Sequence, residues 1–151
     1  MATYRFAQAG DKAGILALFT PAMVQELRDD NDGMFAVPDP DEHIGPNFRH
    51  IVGLDNSNVI RGYTRLENVG GRWQIELTVA DKTLSANQRI THFRLMTGHM
   101  AGQVPANTVI FGRVKVGGRL DNFLSQQPFT RTLVGDMAEF EATAGVIAGV
   151  F

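Results

Sequence analysis

At 151 residues, with 44% hydrophobic and 20% charged side chains, the chain reads as a single domain over 1–151, long enough to bury a core unaided. The absence of cysteine excludes a disulfide scaffold, a thiolate metal site and a cysteine nucleophile. A formal net charge of −2 gives no global attraction for nucleic acid, and there is neither a signal-peptide start nor an apolar run of about 18 residues to span a bilayer, so synthesis in the cytoplasm is expected.

"TYRFAQ" (3–8) alternates apolar and polar residues and predicts an opening strand. Ile15, Leu18, Phe19, Met23, Val24 and Leu27 recur at helical spacing, which predicts helix over about 12–29 with Asp11 as N-cap. Pro21 divides that stretch into a kinked helix or two helices in series. Residues 30–48 hold three of the six prolines and are expected as a long loop or a short helix. "DDNDG" within it is not a calcium loop: with Gly33 at the turn position, the first ligand would be the cation Arg28.

Three strands follow at "HIVGLD" (50–55), "VIRGYTRLEN" (59–68) and "RWQIELTVAD" (72–81), joined by the turn sequences "NSN" and "VGG" as an antiparallel meander. A helix is expected from Ala86, then a strand at "TVIFGRVKV" (108–116) and a short helix within "GRLDNFLSQQPF" (118–129). The last segment offers one or two strands, with "TAG" as a hairpin turn before "VIAGVF". The fold class is therefore α/β or α+β: a mixed, mostly antiparallel sheet with helices on its faces. The helical crossover from 72–81 to 108–116 makes those two strands parallel.

This element order resembles that of the GNAT superfamily of acyl-CoA N-acyltransferases, over about Thr3 to Phe140. "DNSNVIRGYTRLE" (55–67) is similar to the family's second-to-third strand hairpin, "IELTV" (75–79) to the end of its fourth strand, and "FLSQQPF" (123–129) to its late "FYEKLGF"-like segment. The resemblance implies a loop after the fourth strand in which a polar residue and two small residues let backbone amides close on the coenzyme pyrophosphate. Leu84, Asn87 and Arg89 stand at those positions, and Ser85 at another that is commonly glycine. It also implies a tyrosine that protonates the departing thiolate, where this chain has Leu124, followed by Pro128 in place of a glycine.

Framework without chemistry is the expectation that follows: a degenerate GNAT-like domain acting as a structural or protein-binding module, with no catalytic, cofactor-binding or metal residues. Degenerate domains of this kind resemble small phage-encoded proteins, so a virion-associated setting is one expectation from the resemblance. The alternative is an active N-acetyltransferase on a small amine or a protein N-terminus, with Glu76 as base and acetyl-CoA held through Val79 and Arg89.

Read residue by residue, "SANQ" (85–88) is a capping box, an alternative to an anion site at the same helix start. His92 and His99 lie two helical turns, about 10 Å, apart, too far for one metal ion, and are expected at the surface or rim. His43 and His50 flank the long loop and could face a cleft. Glu67 and Glu76 fall on adjacent strands, Glu76 opposite in face to Ile75 and Leu77, and a solvated face is the plain reading. Asp136, Glu139 and Glu141 read as a solubilising acidic segment, and Gly117-Gly118 as a turn or a small anion nest. Arg61, Arg65, Arg72, Arg89, Arg94, Arg113, Lys115 and Arg119 lack interleaved aromatics, so nucleic-acid binding is not expected. The apolar tail 144–151 is expected as a final strand or as a docking segment for a protein partner or second copy through Val146, Ile147, Val150 and Phe151.

Overall fold

The computed structural model describes residues 2–30, 35–41 and 44–151. The order is β1 (Thr3–Phe6), a 3-10 turn (Ala9–Asp11), α1 (Lys12–Leu16), α2 (Pro21–Asp30), β2 (Phe48–Leu54), β3 (Ile60–Val69), β4 (Arg72–Ala80), α3 (Ala86–Gly102), β5 (Val109–Lys115), α4 (Arg119–Leu124), β6 (Thr130–Val134), β7 (Met137–Thr143) and α5 (Ala144–Val150). Seven strands form one mixed sheet in the order β1-β2-β3-β4-β5-β7-β6, antiparallel except for the β4–β5 pair that α3 connects. None of the described helices is long and apolar enough to cross a membrane.

Pro21 does separate two helices, taking the first position of α2, where a missing N–H is harmless. Asp11 holds the N-cap position of α1 as expected, but its side chain makes no capping hydrogen bond to that helix. Its carboxylate accepts from Arg5 Nη1 and from the Gln8 amide, both at 2.7 Å, and so ties β1 to the turn before α1. The tail also departs from expectation, because α5 is helix rather than strand. Its sequence is apolar throughout, so alternation and helical spacing cannot be told apart by pattern. Tertiary packing decides, burying Ala144 and Ile147 against α3. The last hairpin instead joins β6 to β7 through Gly135, whose φ of +62° suits a tight turn.

The core has two faces. Ile51, Leu66, Trp73 and Ile110 pack under Met96 and Met100 of α3 and Ile147 of α5. Val52, Leu54, Tyr63 and Val79 pack against Ile15, Leu18 and Met23 on the other side. Ile75 joins the first cluster and Leu77 the second, although residues two apart on a regular strand share a face. The register explains this: Leu66 opposes Ile75 and Arg65 opposes Leu77, leaving Glu76 as the extra residue of a β-bulge. The expectation that Glu76 opposes both Ile75 and Leu77 in face is therefore corrected, since those two no longer share one.

A bulge bends the strand that carries it. β4 pairs with β5 only from Trp73↔Ile110 to Ile75↔Gly112, then stays on β3 as far as Gly62↔Ala80. Past the bulge the two parallel strands diverge. The fold thus opens its own sheet at Glu76.

Candidate functional site

The divergence forms a cleft of about 430 Å³, within the range of small-molecule sites. One wall is Ile75 to Thr78 with Ala80 on β4; the other is Gly112 to Lys115 on β5. Ala86, Arg89, Ile90 and Phe93 of α3 and Leu124 of α4 complete it. Its lining is mainly apolar, with charged side chains from Glu26, Glu76, Arg89, Arg113 and Lys115 among it.

The start of α3 is closed by its own residues. Ser85 Oγ accepts from the Gln88 amide at 3.2 Å and Gln88 Oε1 accepts from the Ser85 amide at 2.8 Å, the capping box that the sequence predicts. Arg89 reaches α2, where its Nη2 donates to Glu26 Oε2 at 2.5 Å, and Lys82 Nζ meets Glu26 Oε1 at 3.0 Å. Burial pushes the Glu26 carboxyl up, but the hydrogen bonds from Arg89 and Lys82 outweigh it and leave its pKa lowered. The trio keeps one net positive charge, and both of its cations are held by the Glu26 carboxylate.

Leu124 is buried among Phe93, Ala138 and Phe140 and offers no proton. The chain has two tyrosines, Tyr4 and Tyr63, and neither lines the cleft. The side chain of Val79 is buried in the core on the α1–α2 side.

Glu76 does line it, and Arg65 Nε donates to Glu76 Oε2 at 2.8 Å. The neighbouring Glu76 carboxylate, first by hydrogen bonding and then by its charge, raises the Glu67 pKa. The fold therefore brings together the two carboxylates that the sequence singled out. Beside them on β2 and β3, His50 Nδ1 and the Tyr63 hydroxyl lie 2.6 Å apart, and burial pushes Tyr63 up to about 12.

The other singled-out residues lie elsewhere. His92 is buried, not at the surface, with Nδ1 3.2 Å from the Tyr4 hydroxyl, and half-buried His99 meets Phe6 edge to face. Both histidines seat β1 on α3. His43 lies outside the described residues, and among the described residues no cluster could hold a metal. Glu139 and Glu141 are ion-paired rather than merely solubilising, to Arg113 and Arg72 respectively. The amide of Gly117 donates to Asp121 Oδ2 at 2.8 Å, so the nest expected there is filled from within. Glu26 escaped the sequence reading altogether. Its partner Arg89 is 63 residues away, and no local pattern marks the pair.

No family model matches the sequence, and no curated protein matches it in sequence. Solved structures match its fold. PaiA N-acetyltransferase of Thermoplasma acidophilum, in complex with coenzyme A, is 8% identical with a TM-score of 0.65, covering 95% of this chain and 99% of that one. A variant of the SpeG spermidine N-acetyltransferase of Vibrio cholerae is 12% identical with a TM-score of 0.64, covering 97% and 95%. A GNAT-family acetyltransferase of Staphylococcus aureus is 12% identical with a TM-score of 0.62, covering 95% and 99%. The chain has the fold of these N-acetyltransferases.

Proposed function

We propose that this chain is a GNAT-fold domain without acyl-CoA chemistry that works as a structural, protein-binding module. The observation that carries the reading is the start of α3. A capping box closes it, and Glu26 holds both Lys82 and Arg89 beside it. These residues do not fit the diphosphate of coenzyme A, and no step is derived through that group. The buried, aprotic Leu124 supports the same reading independently.

Partner contact through the tail divides by residue. Ile147 and Phe151 pack within the domain, whereas Val146 and Val150 are 41% and 38% exposed and remain for a protein partner. Thermal denaturation with millimolar acetyl-CoA tests the reading. A ligand that binds only the folded state must raise the melting temperature, and no rise is expected.

A second reading, an active N-acetyltransferase, is favoured by one observation: the open cleft beside the Glu67–Glu76 pair. Release of free thiol from acetyl-CoA with a panel of small amines and peptide N-termini, lost in Glu76→Gln, would establish it in place of the first.

A further inference from the structure

β1 is an edge strand of four residues, paired with β2 alone. Its inward side chains, Tyr4 and Phe6, pack on the α3-side core, and each rests on a histidine of α3. The Tyr4 hydroxyl lies 3.2 Å from His92 Nδ1, and the Phe6 ring meets His99 edge to face with centroids 5.4 Å apart. Seven residues are about two helical turns, so both imidazoles share the face of α3 that β1 covers. Gly53 of β2 permits the closer contact: a Cβ there would stand 2.8 Å from the Tyr4 ring and 3.0 Å from His92 Nδ1. Neither histidine lines the cleft.

The groups around the two rings decide which protonation state fits. On α3, Arg94 is close enough to act on Tyr4. Arg5 of β1 turns to Asp11, while on β2 Arg49 lies over Trp73 and His50 meets Tyr63. Arg61 of β3 is held by Asp55 and Asp81, and α5 brings the backbone end of Phe151 against Gly98. The last-turn position of His99 favours its cation. Burial opposes the cation at both rings and prevails, leaving both below the ordinary histidine value.

We propose that β1 is an acid-released strap: protonation of His92 and His99 frees Thr3–Phe6 from α3 and leaves β2 as the edge of the sheet. While the strap is closed the two rings are kept neutral under Tyr4 and Phe6. Once it lifts, both reach water and take protons at their ordinary value of about 6.5. Below that pH, each histidine therefore favours release by up to about tenfold per pH unit. The other ties of the strand are few. They are its ladder to β2 and the Arg5–Asp11 pair, which joins it only to the turn that follows. A short terminal strand of this kind opens without the rest of the domain. The inference stands whether or not the cleft binds a coenzyme.

Amide hydrogen exchange of the full chain at pH 7.5 and 5.5, corrected for the intrinsic effect of pH, tests it. The probes are the β1 amides and that of Ala7, which donates to the His50 carbonyl at 2.8 Å. They should be less protected than β5 (Val109–Lys115) at both pH values, and their protection should fall about tenfold or more on acidification. In His92→Gln/His99→Gln the fall should shrink to about threefold or less. A second readout needs no substitution: in wild type the His92 and His99 ring signals should titrate below about 6.5, and the Tyr4 ring signals should move with them. Equal protection of β1 and β5 would mean that the strap opens only with the whole domain and would overturn the proposal. So would β1 protection that ignores pH, a fall undiminished in the double variant, or histidine rings that titrate at the ordinary value.

Discussion

Glu26 of α2 accepts from Arg89 in the first turn of α3 and from Lys82 in the loop before it, so one carboxylate bridges both sides of the β4–α3 junction. The three side chains are about a third exposed, and the pairs add little to stability, roughly 0–1 kcal/mol each. Their effect is on what the junction can hold. Glu26→Ala frees two cations beside a helix N-terminus, the ordinary makings of an anion site. Inorganic pyrophosphate is expected to bind Glu26→Ala measurably more tightly than wild type by calorimetry, with the gain lost in Glu26→Ala/Arg89→Glu.

Asp121 gives a signature in acid. Hydrogen bonds from Arg131 and then from the Gly117 amide hold its carboxyl down at about 2. A carboxyl lowered on folding stabilises the fold above its unfolded pKa, and that contribution is lost as pH falls through the folded value. The loss should run from about pH 4 toward 2. Arg131→Met is expected to flatten that part of the pH–stability curve, measured by urea denaturation.

His92 acts with the opposite charge sense and the same direction. Burial lowers its pKa, so the fold favours neutral imidazole beside the Tyr4 hydroxyl. The unfolded chain takes up more protons as pH drops below about 6.5, and stability should decline over that range. Comparing the melting temperature of wild type and His92→Gln at pH 7.5 and 5.5 checks this. The variant should lose less on acidification.

Phe151 meets Phe93, Phe123 and Phe129 at ring-centroid distances of 6.3, 5.9 and 5.5 Å, and the missing side chain of Gly98 makes room for it. Phe151→Ala should cost roughly 2 kcal/mol, below the full-burial range because the ring is only partly buried. Gly98→Val should approach that loss by crowding the Cβ and backbone of Phe151. Denaturant midpoints of both variants test the docking of α5.

Much of this architecture is legible in the residues. The meander β2–β3–β4, the crossover helix α3 and the β4–β5 parallel pair follow from alternation, turn chemistry and loop length. Ser85 and Gln88 announce their cap locally. Three features are not legible, and each depends on tertiary placement. The bulge at Glu76 shows only when Ile75 and Leu77 are seen on opposite faces. Ala144, Ile147 and Phe151 fit a helix or a strand until α3 selects one. The Glu26 clamp joins segments that have no sequence relationship.

The most direct test of the central claim is calorimetric titration of the full chain with acetyl-CoA at near-physiological salt. The account predicts no saturable heat up to millimolar ligand. Micromolar binding that Arg89→Glu abolishes would contradict it.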